Sequence, residues 1–453
     1  MVFASAPTSG PEYTRLLEIL AKAVYHQGYM INNERVPGVV KVTKITAGIF
    51  LLLIFLHSSA IPPYRTFDYQ MGAVVAGYQF SFARWEARAI ARKLDQMFTS
   101  NLEHLTEEEK KAIVLDYISL IQRIDELEQR IRQTHSIAEE NPAAVALHLR
   151  RELTEFKQRR AEKQGLVEAI LEEQITQVLH SQDLDTWGII WPPVKFQFER
   201  LPLYLVISPR EEIRVKKGIY LEHDLDLDTR EALEERIDET FDVSSLTVGI
   251  GGLSAYPTMI VEAASLDFIV KAAAHEWVHG YLFFKPLGWH YEDSPQMRTI
   301  NETVASIVGD EVGGLVLRRF YPELAPPPIE EDREQPPPEP VESEFNREMR
   351  QIRLTVDEML AQGKVEEAEE YMEERRRFLV SKGYYIRKLN QAYFAFYGSY
   401  ATSPISVDPI GEALKKLRQE SASLREFIDT VAGITRPEEL WRIVGEDIMD
   451  QRD

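Results

Sequence analysis

The stretch KAAAHEWVHGYLFF, residues 271–284, places His275 and His279 four positions apart, with Glu276 directly after the first histidine. On a helix, residues four apart sit one above the other on the same face, so both imidazoles can reach a single metal ion. Glu276 then lies where it can take a proton from a water activated by that metal. Ser265 opens the helix, Ala272, Ala273 and Ala274 keep the turn before the motif slim, and Pro286 and Gly288 end it after Phe284. The motif therefore falls inside a strong helix rather than a loop.

A catalytic zinc takes three protein ligands and keeps one open position. A third histidine six residues past His279 is ruled out by Lys285, and Leu282 stands where that arrangement needs glycine. His290 follows Trp289 in a loop and makes a poor third ligand. Glu302, 23 positions beyond His279 in RTINETVASIVGDEVGG, is the better candidate. It opens a second helix, read from about Ile300 to Phe320, whose Ala305, Gly309 and Gly313 keep one face narrow. Glycine inside a helix is unfavourable by about 1 kcal/mol, so Gly309, Gly313 and Gly314 call for a packing reason. Close approach of the two helices supplies one.

HEWVH followed by NETVA (301–305) resembles the gluzincins, zinc peptidases with two motif histidines and a downstream glutamate. Within them the chain looks most like a bacterial family of predicted aminopeptidases. The likeness covers roughly 191–322 and the LNQAYFAFYGSY segment at 389–400. It implies an α+β, predominantly helical fold with a small sheet, the histidine helix and the glutamate-ligand helix, to which this chain adds helical hairpins. It also implies an edge strand near Gly251–Tyr256 that pairs with substrate backbone, and a tyrosine that donates to the oxyanion, at Tyr400 with Tyr397 as the alternative. The chain departs from the pattern at two places: Ser306 stands where an aspartate orients the first histidine, with Asp310 one turn on, and Asn390-Gln391 replaces paired asparagines. An aminopeptidase needs an acidic group for the substrate amine, for which Glu262, Glu292 and Asp293 are candidates.

The rest of the sequence frames this centre. The chain has 453 residues, 44% of them hydrophobic, and a net charge of −21 from 52 basic and 73 acidic residues. That balance argues against nucleic acid as a partner, which needs clustered Lys and Arg. There is no cysteine, so disulfides, thiolate metal sites and a cysteine nucleophile are excluded. ITAGIFLLLIFL (45–56) runs without a charge and extends to Ile61, at the roughly 17-residue lower limit for a membrane span. Arg35, Lys41 and Lys44 precede it, which would put the N-terminus inside and the bulk outside. Ser58-Ser59-Ala60 also resembles a signal cleavage site, with a start at Met30 giving an ordinary length, so anchor and cleaved signal both stand, as does a buried core helix.

The expected organisation is an amphipathic segment at 1–44 holding a helix at 12–26, the apolar segment 45–61, and a helical segment at 62–100. Next come a coiled-coil-like hairpin at 101–190, the peptidase core at 191–322, a proline-rich acidic linker at 323–342 and a C-terminal helical region at 343–453 that completes the site. The hairpin rests on a capping box at Thr106 and Glu109 and on Ile113, Tyr117, Leu120, Ile124, Leu127 and Ile131 in alternating steps of four and three. Strands are expected at 201–208 and 213–222 and an extended segment at 246–260. The expectation is a zinc peptidase acting on peptide or protein, membrane-anchored or exported. The alternatives are a membrane-attached endopeptidase and a non-catalytic helical scaffold that keeps a zinc site.

Overall fold

The computed structural model describes residues 66–99, 102–134, 142–325, 343–399 and 409–445. The expected helix at 12–26, the apolar segment 45–61, nearly all of the linker and Tyr400 lie outside them. The fold is predominantly helical with two small sheets.

In chain order the elements are α1 (Phe67–Val75), α2 (Phe82–Thr99), α3 (Glu107–Thr134), α4 (Pro142–Ser181), β1 (Phe196–Phe198), β2 (Leu203–Pro209) and β3 (Lys217–Leu221). Then follow α5 (Leu227–Phe241), β4 (Val243–Val248), β5 (Gly252–Leu253), β6 (Thr258–Ile260), α6 (Leu266–Leu282), α7 (Pro286–Trp289) and α8 (Pro295–Phe320). The C-terminal part holds α9 (Glu344–Ala361), α10 (Val365–Ser381), α11 (Gln391–Tyr397), α12 (Ile410–Glu420), α13 (Leu424–Ala432) and α14 (Pro437–Val444).

One sheet has the order β3-β2-β4, antiparallel throughout; the other has the order β1-β6-β5, with β1 parallel to β6 and β5 antiparallel to it. The β3-β2-β4 sheet buries one face against α1 and α5 and the other against Trp85 of α2 and Phe396 of α11. The largest core joins α3, α4, α6, α8, α12, α13 and α14. Among the described residues no helix is long and apolar enough to cross a membrane.

The helical segment expected at 62–100 is broken into α1 and α2. After a turn at 76–78, Gln79 bridges to Leu221, and Phe80 N–H donates to the Tyr220 carbonyl at 2.9 Å, so residues 79–80 run beside β3. A long-range pairing overrides the local helical preference there. The helix expected from about Ile300 starts earlier, at Pro295, because the Ser294 hydroxyl caps the Met297 N–H at 3.1 Å and proline suits the first turn.

α3 and α4 pack against each other and onto the main core. Tyr117, Leu120, Ile124 and Leu127 of the expected seam are buried, but Val114, Ile118 and Ile121 are buried too, a wider face than a two-helix seam needs. Tyr117 donates to Glu262, two residues beyond β6, and Arg160 of α4 donates to the other oxygen of that carboxylate at 2.7 Å.

Candidate metal centre

α6 and α8 cross at small residues. A Cβ on Gly309 would stand 3.0 Å from the His275 Cβ and 3.0 Å from the Lys271 carbonyl; one on Gly313 would stand 3.0 Å from the Lys271 Cα. Glycine at both positions allows this approach without crowding, and it brings Glu302 across to the histidines. Gly314 faces Arg318 of its own helix and takes no part in the contact.

His275, His279 and Glu302 are all buried, and their ligand atoms converge. His275 Nε2 lies 3.1 Å from His279 Nε2, and Glu302 Oε2 lies 3.6 Å and 3.5 Å from these two nitrogens. A point about 2.0 Å from all three atoms exists in the plane of such a triangle, which matches zinc–nitrogen and zinc–oxygen distances of roughly 2.0–2.2 Å. Two imidazole nitrogens and a carboxylate oxygen also form a donor set that suits zinc. The residues fit the ion.

The surrounding groups aim these ligands. His279 Nδ1 lies 2.9 Å from Asn301 Oδ1; with its proton on Nδ1 the ring donates to that oxygen and turns the Nε2 lone pair inward. The Tyr291 hydroxyl donates to Glu302 Oε1 at 2.6 Å, occupying one oxygen and leaving Oε2 toward the histidines. The Arg298 guanidinium, one turn before Glu302, lies 4.9 Å over the Tyr291 ring and donates to Glu292 at 2.5 Å. Asn301 adjoins the ligand glutamate in sequence, so its role had a signal. Tyr291 had none: it belongs to the turn between α7 and α8, and nothing local foretells its reach.

Burial dominates the proton balance. It pushes His275 down to about 4 and leaves that ring neutral. It opposes charge on His279 as well, but the Glu302 carboxylate at 3.5 Å outweighs it and lifts the ring to about 9. Burial also works against the Glu302 carboxylate, yet the His279 charge and the two imidazole nitrogens 3.5 and 3.6 Å away hold its pKa well below the usual range. Glu276 has no such partner, and burial pushes it up to about 8. Without a cation, His279 therefore carries the proton that neutralises Glu302. A divalent ion held by the three ligands would displace that proton.

Glu276 is fully buried and neither of its oxygens has a hydrogen-bond partner; Glu302 Oε2 is likewise unpartnered. β5 presses on the same carboxylate: a Cβ on Gly252 would meet Glu276 Oε1 at 2.5 Å. A cavity of about 20 Å³, near the size that holds one water, lies beside Glu276 and is lined by Pro192, Phe196, Tyr256, Trp277 and Gly280. A larger cavity of about 540 Å³ between α2, α4 and residues 188–195 has Glu172 in its wall. That carboxylate already takes Lys93 and Lys195, at 2.8 and 2.6 Å.

Other candidate residues fall elsewhere. His290 pairs with Asp293 at 2.5 Å at the surface, away from the ligand group. Ser306 donates back to the Glu302 carbonyl at 2.9 Å, and the largely exposed Asp310 faces Lys271 at 3.8 Å. Asn390 caps α11 and donates to the Ser245 carbonyl at 2.9 Å, while Gln391 donates to the Arg210 carbonyl at 2.8 Å, so the pair fastens α11 to the β3-β2-β4 sheet. The partly buried Tyr397 ring lies tilted 4.5 Å from Tyr393 and edge-on 5.1 Å from Phe396, packed against the core. Glu262, Glu292 and Asp293 are engaged by Arg160 with Tyr117, by Arg298 and by His290 respectively.

No family model, curated protein or solved structure matches the chain.

Proposed function

We propose that the chain is a zinc-dependent peptidase. The observation that carries the reading is the convergence of three buried ligand atoms beside a second buried carboxylate, Glu276, that has no partner of its own. A purely structural zinc site has no use for that carboxylate, which weighs against the scaffold alternative. His275, His279 and Glu302 would hold the ion. When bound, zinc supplies a Lewis acid for the scissile carbonyl and lowers the pKa of water to about 7.

The protein's own part is proton handling and positioning. Glu276 takes a proton from the attacking water on one carboxylate oxygen and returns it to the leaving nitrogen. Asn301 and Tyr291 hold His279 and Glu302 so that neither ligand turns away. β5 pairs with β6 on one side, and its other edge adjoins the base, where an extended peptide would add as a strand.

Aminopeptidase action follows from the gluzincin resemblance. The carboxylates considered for the substrate amine all serve other partners, and this favours internal cleavage as the second reading. Attachment to a membrane through 45–61, with the peptidase outside the cytoplasm, rests on the sequence alone. Tyr400 as the oxyanion donor rests on the resemblance.

The deciding experiment is metal analysis of purified protein combined with a peptide-library digest. One zinc per chain and cleavage abolished by Glu276→Gln are expected; a metal-free protein, or turnover unchanged in that variant, overturns the reading.

A further inference from the structure

Tyr291 sits in the turn between α7 and α8, yet it reaches two of the three proposed ligands. Its hydroxyl donates to Glu302 Oε1 at 2.6 Å, and its ring meets the His279 ring edge-on, with centroids 6.5 Å apart. A turn residue has no helical or strand ladder to hold it, and the Tyr291 N–H reaches the Gly288 carbonyl only at 3.3 Å. The aim of the hydroxyl has to come from side chains packed around the ring.

Arg298 is placed to supply that hold. It stands in the first turn of α8, four residues before Glu302 and on the same face of the helix. Its guanidinium lies 4.9 Å over the Tyr291 ring and donates to Glu292 at 2.5 Å, so one side chain grips two consecutive residues of the turn. A planar cation can stack on a ring while its edge serves a carboxylate, which a lysine ammonium cannot match. The Arg298 side chain is only 13% exposed, whereas that of Glu292 is 48% exposed at the rim. Taking a guanidinium out of water is costly, and a half-exposed carboxylate offsets that only in part. A positive charge on the glutamate-ligand face also disfavours a cation at the ligands. Charge balance therefore does not account for Arg298, whereas its grip on the turn does. The guanidinium also neighbours the Tyr204 hydroxyl of β2, where a wholly structural arginine would act by joining helix to sheet.

We infer that Arg298 is a positioning residue for the metal centre: it fixes the Tyr291 ring so that the hydroxyl stays on Glu302, with Glu292 as the outer end of the clasp. This role rests on the metal centre of the peptidase reading and deepens it. Its sign separates it from electrostatics. If charge alone were at work, removing Arg298 would tighten zinc binding, whereas loss of a positioning group weakens it.

The test is a zinc titration of the full chain against a competing chelator, with the melting temperature of the zinc-free protein measured in parallel. The variants are Arg298→Met, Glu292→Gln, Tyr291→Phe and the Arg298→Met/Tyr291→Phe pair. Arg298→Met should bind zinc about tenfold more weakly than wild type. Glu292→Gln should lose roughly two- to fivefold, the scale of a partly exposed ion pair. In the Tyr291→Phe background Arg298→Met should add almost nothing, because the hydroxyl through which it acts is gone. A lowered melting temperature with unchanged zinc affinity overturns the inference and leaves Arg298 as a structural link to Tyr204. Tighter zinc binding in Arg298→Met overturns it in favour of charge, and a full tenfold loss repeated in the Tyr291→Phe background overturns the route through Tyr291. Should Arg298→Met fail to fold, Glu292→Gln decides from the exposed end, and an unchanged affinity there overturns the clasp. Wild type that takes up no zinc overturns the peptidase reading and this role together; wild type that binds zinc beside unaffected variants overturns this role alone.

Discussion

Where α2, α4 and β1 meet, Glu168 and Glu172 are buried among lysines; where α6 meets α8, Glu276 and Glu302 are buried with only the imidazoles of His275 and His279 beside them. In the first cluster Lys93 donates to both carboxylates at 2.8 Å, Lys195 donates to Glu172 at 2.6 Å, and the N–H groups of Phe198 and Phe196 add bonds of 2.8 and 3.0 Å. Two positive charges meet two negative ones, and the hydrogen bonds close. In the second, neither carboxylate takes a lysine or arginine among the described residues, and both Glu276 oxygens and Glu302 Oε2 stay unpartnered. Leaving a buried charge uncompensated is expensive unless something else neutralises it. The first cluster is closed by its own lysines, whereas the second balances Glu302 with a histidine proton, whose place a divalent cation would take in the proposed reading.

Several substitutions would break or sharpen this contrast. The largest effect is expected from Glu276→Gln, which should lower peptide hydrolysis about 10²–10⁴-fold while zinc content and melting temperature hold. Loss of zinc in that variant would show that Glu276 supports the ion rather than the chemistry. In the first cluster, Lys93→Met should cost about 3–5 kcal/mol in a denaturant melt, since it strips the shared cation from Glu168 and Glu172. Zinc content should not change, and a near-neutral melt would mean that the cluster is not closed in the way described. Tyr291→Phe, which frees Glu302 Oε1, should weaken zinc binding about 10–100-fold in a chelator competition and leave one zinc per chain at saturation. An unaltered affinity would remove Tyr291 from the metal's support. The smallest effect belongs to Gly309→Ala. Crowding against His275 of about 1–3 kcal/mol is partly offset by about 1 kcal/mol of helix propensity, for a net loss near 1 kcal/mol. Thermal unfolding with and without zinc would show whether that loss also loosens the ion.

The contrast also explains what could be read in advance. The histidine helix was legible because spacing, capping serine and breakers agree within one short stretch. Glu302 could be picked out because the glycines on its helix had no local reason to be there, and the crossing with α6 supplies it. Tyr291, Arg298 and the strand partner of Gln79 depend on segments that meet only in the folded chain. α5 went unread although Asp226 caps it through the Thr229 N–H at 2.8 Å, since only Leu233 and Ile237 mark its apolar side as buried. Even so, a helical protein with a small sheet was evident from periodicity and β-branched runs.

The long hairpin can be described as a beam clamped near its middle. At 1.5 Å per residue α4 is about 60 Å long, and roughly 27 Å of it extends before Arg160, where Glu262 grips it. Glu262 stands two residues beyond β6, and β6 carries β5, whose Gly252 rests against Glu276. Through Glu262 the hairpin is thus fastened to the strand pair whose Gly252 sets the spacing above the proposed base.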